Sequence, residues 1–398
     1  MNVFWIPSWY PVPENPAFGT FIHTQAQALT RHYPDVQLGI SLWGQGQAAY
    51  QLWAQQPLAS FQKWRHWRNG ATFQVRHPRL NWWEMETPVA VWSRRWREGN
   101  FAEVLRVNTQ QALYFARQVG KIDLVHAHVG HPAGRIARYL AQELGCPYLI
   151  TEQMSPFPFA AIWKKNRLHP AYAPVYAQAA LNLAISPSLA QHMQACGIQK
   201  IRVVPNPVDE SFFYPQEGDV GQSFTFFSLG RMEAQKGFPD LLYAFREVQR
   251  RQPEVRLRIG GEGSQKKKYQ QMAKQLGLAK QVEWLGFLTP EEARQEYQRC
   301  QAFVLASHHE TLGVVWIEAL ACGKPIIATR CGGPVSIVNP GNGLLADVGD
   351  IPGLAKAMEE IMTKRDEFSS ERIRADFLKR FSTKVIAQQI RQAYETIL

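Results

Sequence analysis

Short apolar runs alternate with helix-patterned stretches, and the alternation occurs twice; nothing else in this chain constrains its fold as much. Residues 2–6, 36–42, 122–126, 147–151, 181–185 and 202–204 read as buried strands, with helical spacing at 21–31 and 134–144 between them. The pattern restarts at 224–229 and continues through strand-like runs at 255–259, 282–285, 302–305, 325–328 and 343–345. Helix-like stretches begin near Pro239, Gln265, Pro290, Gly313 and Pro352. Such alternation demands parallel sheets covered by helices on both faces. A chain of 398 residues is too long for one such core. It is comfortable as two domains of roughly 150–200 residues each. The stretch from Pro205 through Gly221, rich in Pro, Gly and acids, reads as the linker. The expected fold class is therefore α/β, with two Rossmann-like, doubly wound parallel-sheet domains at 1–205 and 206–380 and a terminal helix at 381–398. Ligands of such sheets bind beyond the carboxyl ends of the strands, so the site is expected in a cleft that both domains face.

The sharpest constellation is Ser307-His308-His309-Glu310-Thr311-Leu312-Gly313-Val314-Val315-Trp316-Ile317-Glu318-Ala319. Glu310 falls in the loop after a strand, and Glu318 falls in the following helix. Backbone amides at the helix start, around Thr311, Leu312 and Gly313, form an anion site suited to a diphosphate. Carboxylates do not bind phosphate, so Glu310 and Glu318 suit hydroxyls of a sugar and a ribose. A helix-entry residue and a solvated glutamate would look similar singly, but apolar Val314, Val315, Ile317 and Ala319 argue against an exposed face at Glu318.

The segment Gly230-Arg231-Met232-Glu233-Ala234-Gln235-Lys236-Gly237 opens the second half at a strand end. Arg231 offers a planar fork and Lys236 a point charge, and both suit a leaving diphosphate. As lone loop residues they would equally be solvated. Gly260-Gly261-Glu262-Gly263 turns after the next strand, and Gly286-Phe287-Leu288 ends another where a nucleobase can stack or bond backbone. Small residues at Gly332, Gly333 and Gly343 let a ligand approach later strand ends. In the first half, Gly19 follows the first strand and precedes a helix. His126, His128 and His131 end another strand without a carboxylate or Cys in the same segment. That favours structural or capping roles for His126 and His131 and a cleft-facing role for His128 over zinc binding.

Lys plus Arg exceeds Asp plus Glu by 44 to 33, which favours an anionic partner. The excess concentrates at 61–100. That segment holds Trp64, Trp67, Trp82, Trp83, Trp92 and Trp96, with Lys63, Arg65, Arg68, Arg76, Arg79, Arg94, Arg95 and Arg97 against Glu84, Glu86 and Glu98. Trp with Arg suits an anionic membrane surface or stacking on sugars or nucleic acid; a helical hairpin packing its own Trp inward is the plainer reading. Lys266, Lys267 and Lys268 read as a solvated helix face. Five cysteines without a CxxC pair indicate neither a disulfide framework nor a zinc site, as expected in a reducing cytoplasm. The N-terminus lacks a signal-peptide pattern, and no apolar run is long enough to span a membrane. Any membrane contact is expected to be peripheral, on the inner face.

Together these segments resemble the family 4 glycosyltransferases, retaining enzymes of the GT-B fold. The resemblance rests on Glu310 and Glu318 with seven residues between them, Gly230-Arg231 with Lys236-Gly237, Gly261-Glu262-Gly263, Val204-Pro205-Asn206-Pro207-Val208-Asp209 and Gly332-Gly333-Pro334, all in family order. It implies that Arg231 and Lys236 hold the diphosphate of a UDP- or GDP-sugar. Glu318 would take the ribose hydroxyls, Glu310 would contact the donor sugar, Gly19 would line the loop approaching the phosphates, and His128 would face the sugar. Gly230, Gly261, Glu262, Gly286, Phe287, Leu288, Thr311, Leu312 and Gly313 would complete the donor site. No metal or cofactor is expected, since two cations neutralise the diphosphate, and the acceptor would be a saccharide or lipid-linked saccharide of a cell-surface polymer. Lys236→Ala is then expected to lower turnover far more than stability. Pro-Glu-Asn-Pro-Ala-Phe-Gly at 13–19 departs from the family's paired glycines, and Thr151-Glu152-Gln153 departs from its Thr-x-His; the latter receives no role. A nucleotide-sugar epimerase, or a membrane- or nucleic-acid-binding module, are the alternatives.

Overall fold

The computed structural model describes residues 1–398 except 13–17, 45–49, 71–72, 93–99 and 217–222, and the side chains of 66–70. It divides into two compact units, Met1–Ile185 with Ala190–Pro207 and Ile386–Leu398, and Ser186–Leu189 with Val208–Val385.

Strands of the first unit are β1 (Asn2–Pro7), β2 (Gln37–Leu42), β3 (Gln51–Leu52), β4 (Gln74–Arg79), β5 (Trp82–Glu86), β6 (Val91–Trp92), β7 (Leu124–His128), β8 (Tyr148–Glu152), β9 (Trp163–Lys164), β10 (Arg167–Leu168), β11 (Leu181–Ala184) and β12 (Ile201–Val203). The main sheet runs β12-β11-β8-β7-β1-β2-β5-β4. Every pairing in it is parallel except β4 with β5. Val3, Phe4, Trp5 and Ile6 of β1 are all fully buried, as a central strand covered on both faces requires.

The terminal helix, Thr383–Ile397, contributes Ile386, Ile390, Ala393 and Tyr394 to the core around Val3, Trp5 and Leu38. Trp5 Nε1–H donates to the Tyr394 hydroxyl at 2.9 Å, and that hydroxyl lies 2.8 Å from His126 Nδ1. His126 Nε2 lies 2.7 Å from Thr151 Oγ1. Burial holds the His126 imidazole well below its ordinary pKa, so it is neutral. With Trp5 donating, the Tyr394 proton goes to Nδ1 and the ring's own proton goes to Thr151. The histidine is thus a fully used structural link.

Two stretches differ from the sequence expectation. Among the described residues of 61–100 there is no helical hairpin: helix Pro57–Gly70 is followed by the β4–β5 hairpin, which extends the sheet edge. The aromatic pair in Trp-Trp-Glu-Met-Glu favours strand. Trp82 is buried under it, and Trp83 meets the Phe115 ring edge-on. Trp67, Arg68, Arg94, Arg95, Trp96, Arg97 and Glu98 lie outside the described side chains. Helix Phe101–Val119 was not expected at all. Its buried stripe includes Asn108 and Gln111, which disguise the apolar period; both bond the Ser41 hydroxyl.

The second unit holds β13 (Thr225–Leu229), β14 (Arg256–Gly260), β15 (Val282–Gly286), β16 (Ala302–Leu305), β17 (Ile326–Thr329) and β18 (Gly343–Ala346). Its sheet is wholly parallel in the order β15-β14-β13-β16-β17-β18. The start of the expected linker is not slack. Val208 bridges to Ser382, and Glu210 accepts from the Thr383 backbone and hydroxyl, each at 2.8 Å.

Tyr394→Phe removes the shared hydroxyl and leaves the buried Trp5 N–H and His126 Nδ1 unpaired. It should cost about 1–3 kcal/mol, read as a lower denaturation midpoint; an unchanged midpoint would show that the link carries no stability.

Candidate functional site

The second sheet grows outward from β13 in both directions. The chain lays down β13, β14 and β15 one way and β16, β17 and β18 the other. Strand order therefore reverses between β13 and β16, where the loops leaving their carboxyl ends open a crevice.

These two loops are stitched together. His308 N–H donates to the Gln235 carbonyl at 2.8 Å. Gly237, at φ 63°, lies so close to the other loop that a Cβ would stand 1.8 Å from the Ala306 carbonyl oxygen, so no other residue fits. Lys236 Nζ forms an ion pair with Glu310 Oε1, and Ser307 Oγ donates to the same oxygen at 2.9 Å. The paired side chains are only 16% and 10% exposed. Glu310 is held through its backbone as well: its N–H donates to Cys331 O at 3.0 Å, and its carbonyl accepts from Gly333 N–H at 2.8 Å. The Thr311 carbonyl accepts from the buried Ser186 hydroxyl. Buried Leu312 leads to Gly313, which caps helix Val314–Ala321. That helix has no acidic residue in its first turn, which suits an anion at its start.

Glu318 sits one turn into the helix and is partly buried. The Tyr297 hydroxyl donates to its Oε2 at 2.9 Å. Burial pushes the Glu318 carboxyl up to about 7, against the opposing pull of that hydrogen bond.

On the β15 side, the ends of three adjacent strands converge. Gly230 N–H donates to Gly260 O at 3.3 Å, and Gly261 N–H donates to Gly286 O at 2.6 Å. Gly261, at φ 123°, leaves a Cβ only 2.0 Å from the Gly230 carbonyl oxygen. Arg231 is exposed in the turn beyond Gly230. Glu262 is exposed and pairs with Lys266 at 2.5 Å, while Lys267 and Lys268 are exposed on the same helix. Phe287 is 61% exposed, and Leu288 packs over Gly260.

His128 and Gly19 belong to the other unit. Gly19 caps helix Thr20–His32 and presses on Trp9; residues 13–17 of the loop before it lie outside the described residues. His128 is fully buried, its ring stacked 4.2 Å from that of His126 and 4.4 Å from that of Trp5. Neither ring nitrogen has a hydrogen-bond partner among the described residues, and burial pulls the imidazole down to about 3. It is therefore a neutral group with spare donor and acceptor capacity. His131 pairs with the Tyr172 hydroxyl through Nδ1.

Three supporting side chains were not assigned from sequence. Ser307 supports Glu310, Tyr297 holds Glu318, and Glu152, wholly buried, ties two loops together. Glu152 accepts from Gly130 N–H at 3.1 Å, the Tyr176 hydroxyl at 2.7 Å, Gln153 N–H at 2.9 Å and Met154 N–H at 3.0 Å. An acid closing the apolar run Tyr148-Leu149-Ile150-Thr151 was the available signal. Among the described residues no cluster of three or more His, Cys, Asp or Glu could hold a metal ion.

Residues 19–212 match the family model of Glycosyltransferase Family 4, and residues 210–376 match that of Glycosyl transferases group 1. A glycosyltransferase of Methanocaldococcus jannaschii is 28% identical over 69% of this chain and 76% of its own length. The lipopolysaccharide core biosynthesis glycosyltransferase LpsE of Rhizobium meliloti is 35% identical over 34% of this chain and 38% of its own. Among solved structures, HepE of Anabaena in complex with UDP-glucose superposes with a TM-score of 0.70 at 19% identity, over 100% of both chains. Sucrose-phosphate synthase from Thermosynechococcus elongatus does so at 0.72 and 17%, over 100% of this chain and 99% of that one. The architecture is that of the GT-B glycosyltransferases.

The Lys236–Glu310 pair changes one expectation. Truncating Lys236 strands a buried carboxylate, so the loss is not confined to turnover. Lys236→Met or Glu310→Gln alone should cost about 3 kcal/mol, near the lower end for a buried pair. The double variant should cost clearly less than the sum of the two. Denaturant midpoints of the four proteins decide it; simple additivity would mean that the pair does not form.

Proposed function

The chain belongs to the family 4 group of glycosyltransferases, and on that premise we propose that it transfers a sugar from a UDP- or GDP-linked donor to a hydroxyl, with retained anomeric configuration. The observation that carries the reading is the Lys236–Glu310 pair, which joins the two loops at the strand-order reversal, one of which runs on from Glu310 into helix Val314–Ala321. The diphosphate would lie at that helix start, with amides of Leu312 and Gly313 nearby. Lys236 has three donors: one stays on Glu310 and the others turn to the phosphates. Arg231 adds a second cation from the β13 loop. Glu310 keeps Oε2 for a sugar hydroxyl, Glu318 takes the ribose, and the turns at Gly261, Glu262, Gly286, Phe287 and Leu288 border the base. Within the first unit, buried His128 is a neutral imidazole with both ring nitrogens available to bond a hydroxyl.

Catalysis on this reading is electrostatic. Charge grows on the diphosphate as the glycosidic bond opens, and preorganised donors stabilise it there. The departing phosphate can take the acceptor proton, so no separate carboxylate base is required. Arg231 and Lys236 supply the positive charge a metal ion would otherwise bring. HepE, solved with UDP-glucose, supports a nucleotide-sugar donor and transfer of a hexose, and LpsE, a lipopolysaccharide core enzyme, supports a cell-surface saccharide acceptor. The family match favours transfer over epimerisation.

Turnover of radiolabelled UDP- and GDP-sugars onto saccharide acceptors tests the reading. Lys236→Met should lower kcat by about 10²–10³; wild-type kcat in that variant would contradict the assignment.

A peripheral position on an anionic membrane has its own support. No helix among the described residues is long and apolar enough to cross a membrane. Helix Pro57–Gly70 carries no acid, exposes Leu58 at 81% and Phe61 at 60%, and has Lys63 and Arg65 beside them. That combination of apolar face and cations suits a headgroup boundary on the cytoplasmic side. Flotation with anionic but not neutral vesicles at low salt is expected; equal recovery with both, or with neither, would sink this part.

A further inference from the structure

Helix Pro290–Arg299 is largely polar, with Glu291, Glu292 and Arg294 in its first turns, yet Tyr297 on it is fully buried. The ring stands edge-on to Phe227, with centroids 5.1 Å apart, and packs against Phe213 and Phe303. Phenylalanine would satisfy that packing equally. The hydroxyl is the part that packing does not explain. It crosses to helix Val314–Ala321 and donates to Glu318 Oε2 at 2.9 Å. Glu318 Oε1 has no hydrogen-bond partner among the described residues.

We propose that Tyr297 is a positioning residue for nucleotide binding: by holding Glu318 through Oε2 it presents Oε1 as the acceptor for the ribose hydroxyls. This rests on the reading of Glu318 as the ribose ligand and adds the group that makes it work. A carboxylate on a free side chain samples several rotamers, and fixing one oxygen removes that entropy cost from the binding step. The same bond favours the ionised carboxylate, which accepts hydrogen bonds more strongly than the acid.

The proton matters because burial has raised the Glu318 carboxyl to about 7. Other ionisable groups nearby do not share the role. Cys322, which caps the same helix, is a thiol pushed up to about 12 by burial, as is Cys300, whose thiol donates to the Tyr297 carbonyl at 3.3 Å. Arg374, from helix Ser370–Phe381, spends its donors on the Ala321, Phe213 and Glu210 carbonyls. Loss of the Tyr297 hydroxyl should therefore raise the Glu318 pKa further. Ribose recognition would then weaken at neutral pH and return as the pH rises past the new value.

The test is calorimetric binding of UDP and GDP, and of their 2′- and 3′-deoxy counterparts, to the full chain between pH 6 and pH 9. Wild type, Tyr297→Phe and Glu318→Gln are compared. The wild type should prefer the ribonucleotide by ~10–100-fold, as expected for a hydrogen bond to a charged group. Tyr297→Phe should lose most of that preference at pH 7 and regain it toward pH 9, with donor KM raised and kcat little changed. A purely structural Tyr297 would weaken ribo and deoxy ligands alike, leaving the ratio intact at every pH, and that result overturns the proposal. Because each ratio is taken within one variant, lost stability does not imitate it. If Glu318→Gln also keeps the wild-type ratio, or if neither nucleotide binds the wild type, the ribose reading fails and Tyr297 falls with it. A ratio lost in Glu318→Gln but intact in Tyr297→Phe removes the positioning role alone.

Discussion

One ion pair organises the candidate site. Lys236 leaves β13 and Glu310 leaves β16, the two strands between which the sheet reverses its order. An exposed pair of this kind would contribute little. Here both side chains are nearly closed off from water, Ser307 satisfies the carboxylate further, and the His308 N–H on the Gln235 carbonyl ties the two loops together. The lysine is therefore held in place before any ligand arrives. A cation fixed in advance suits a developing negative charge, because no reorganisation is left for the moment of reaction.

The fold was legible where burial is two-sided. Central strands such as Asn2–Pro7 and Ala302–Leu305 are apolar runs without alternation, because helices cover both faces. It was illegible where polar residues occupy buried positions. Asn108 and Gln111 stand in the stripe of Phe101–Val119 and satisfy Ser41, so a core helix looks amphipathic in the wrong places. The hairpin at 74–86 was obscured differently: Arg76 reaches Glu84 and Glu86 across the strands, so a charge-rich segment is partly neutralised within a sheet.

The site was legible as motif and not as network. Spacing alone singled out Glu310, Glu318, Arg231 and Lys236, because a loop, a helix start and two cations at strand ends have few other uses together. Nothing in the spacing joined Lys236 to Glu310 across 74 residues, or Tyr297 to Glu318 across 21. Those contacts depend on which strands become neighbours. In the first unit the two histidines of His126-Ala127-His128 look equivalent in sequence and are opposites in structure. His126 spends both nitrogens on Tyr394 and Thr151, whereas His128 keeps both unspent. A buried imidazole without partners costs stability.

If the strand-order reversal of the second unit holds the nucleotide donor, the ligand should quieten the loops that leave it. Amide hydrogen exchange, with and without saturating UDP or GDP, measures it peptide by peptide. Ligand-induced protection should concentrate in 230–237 and 307–318, with little change at the amino ends of the same strands. Protection confined to other segments, with these two loops unchanged, would contradict it.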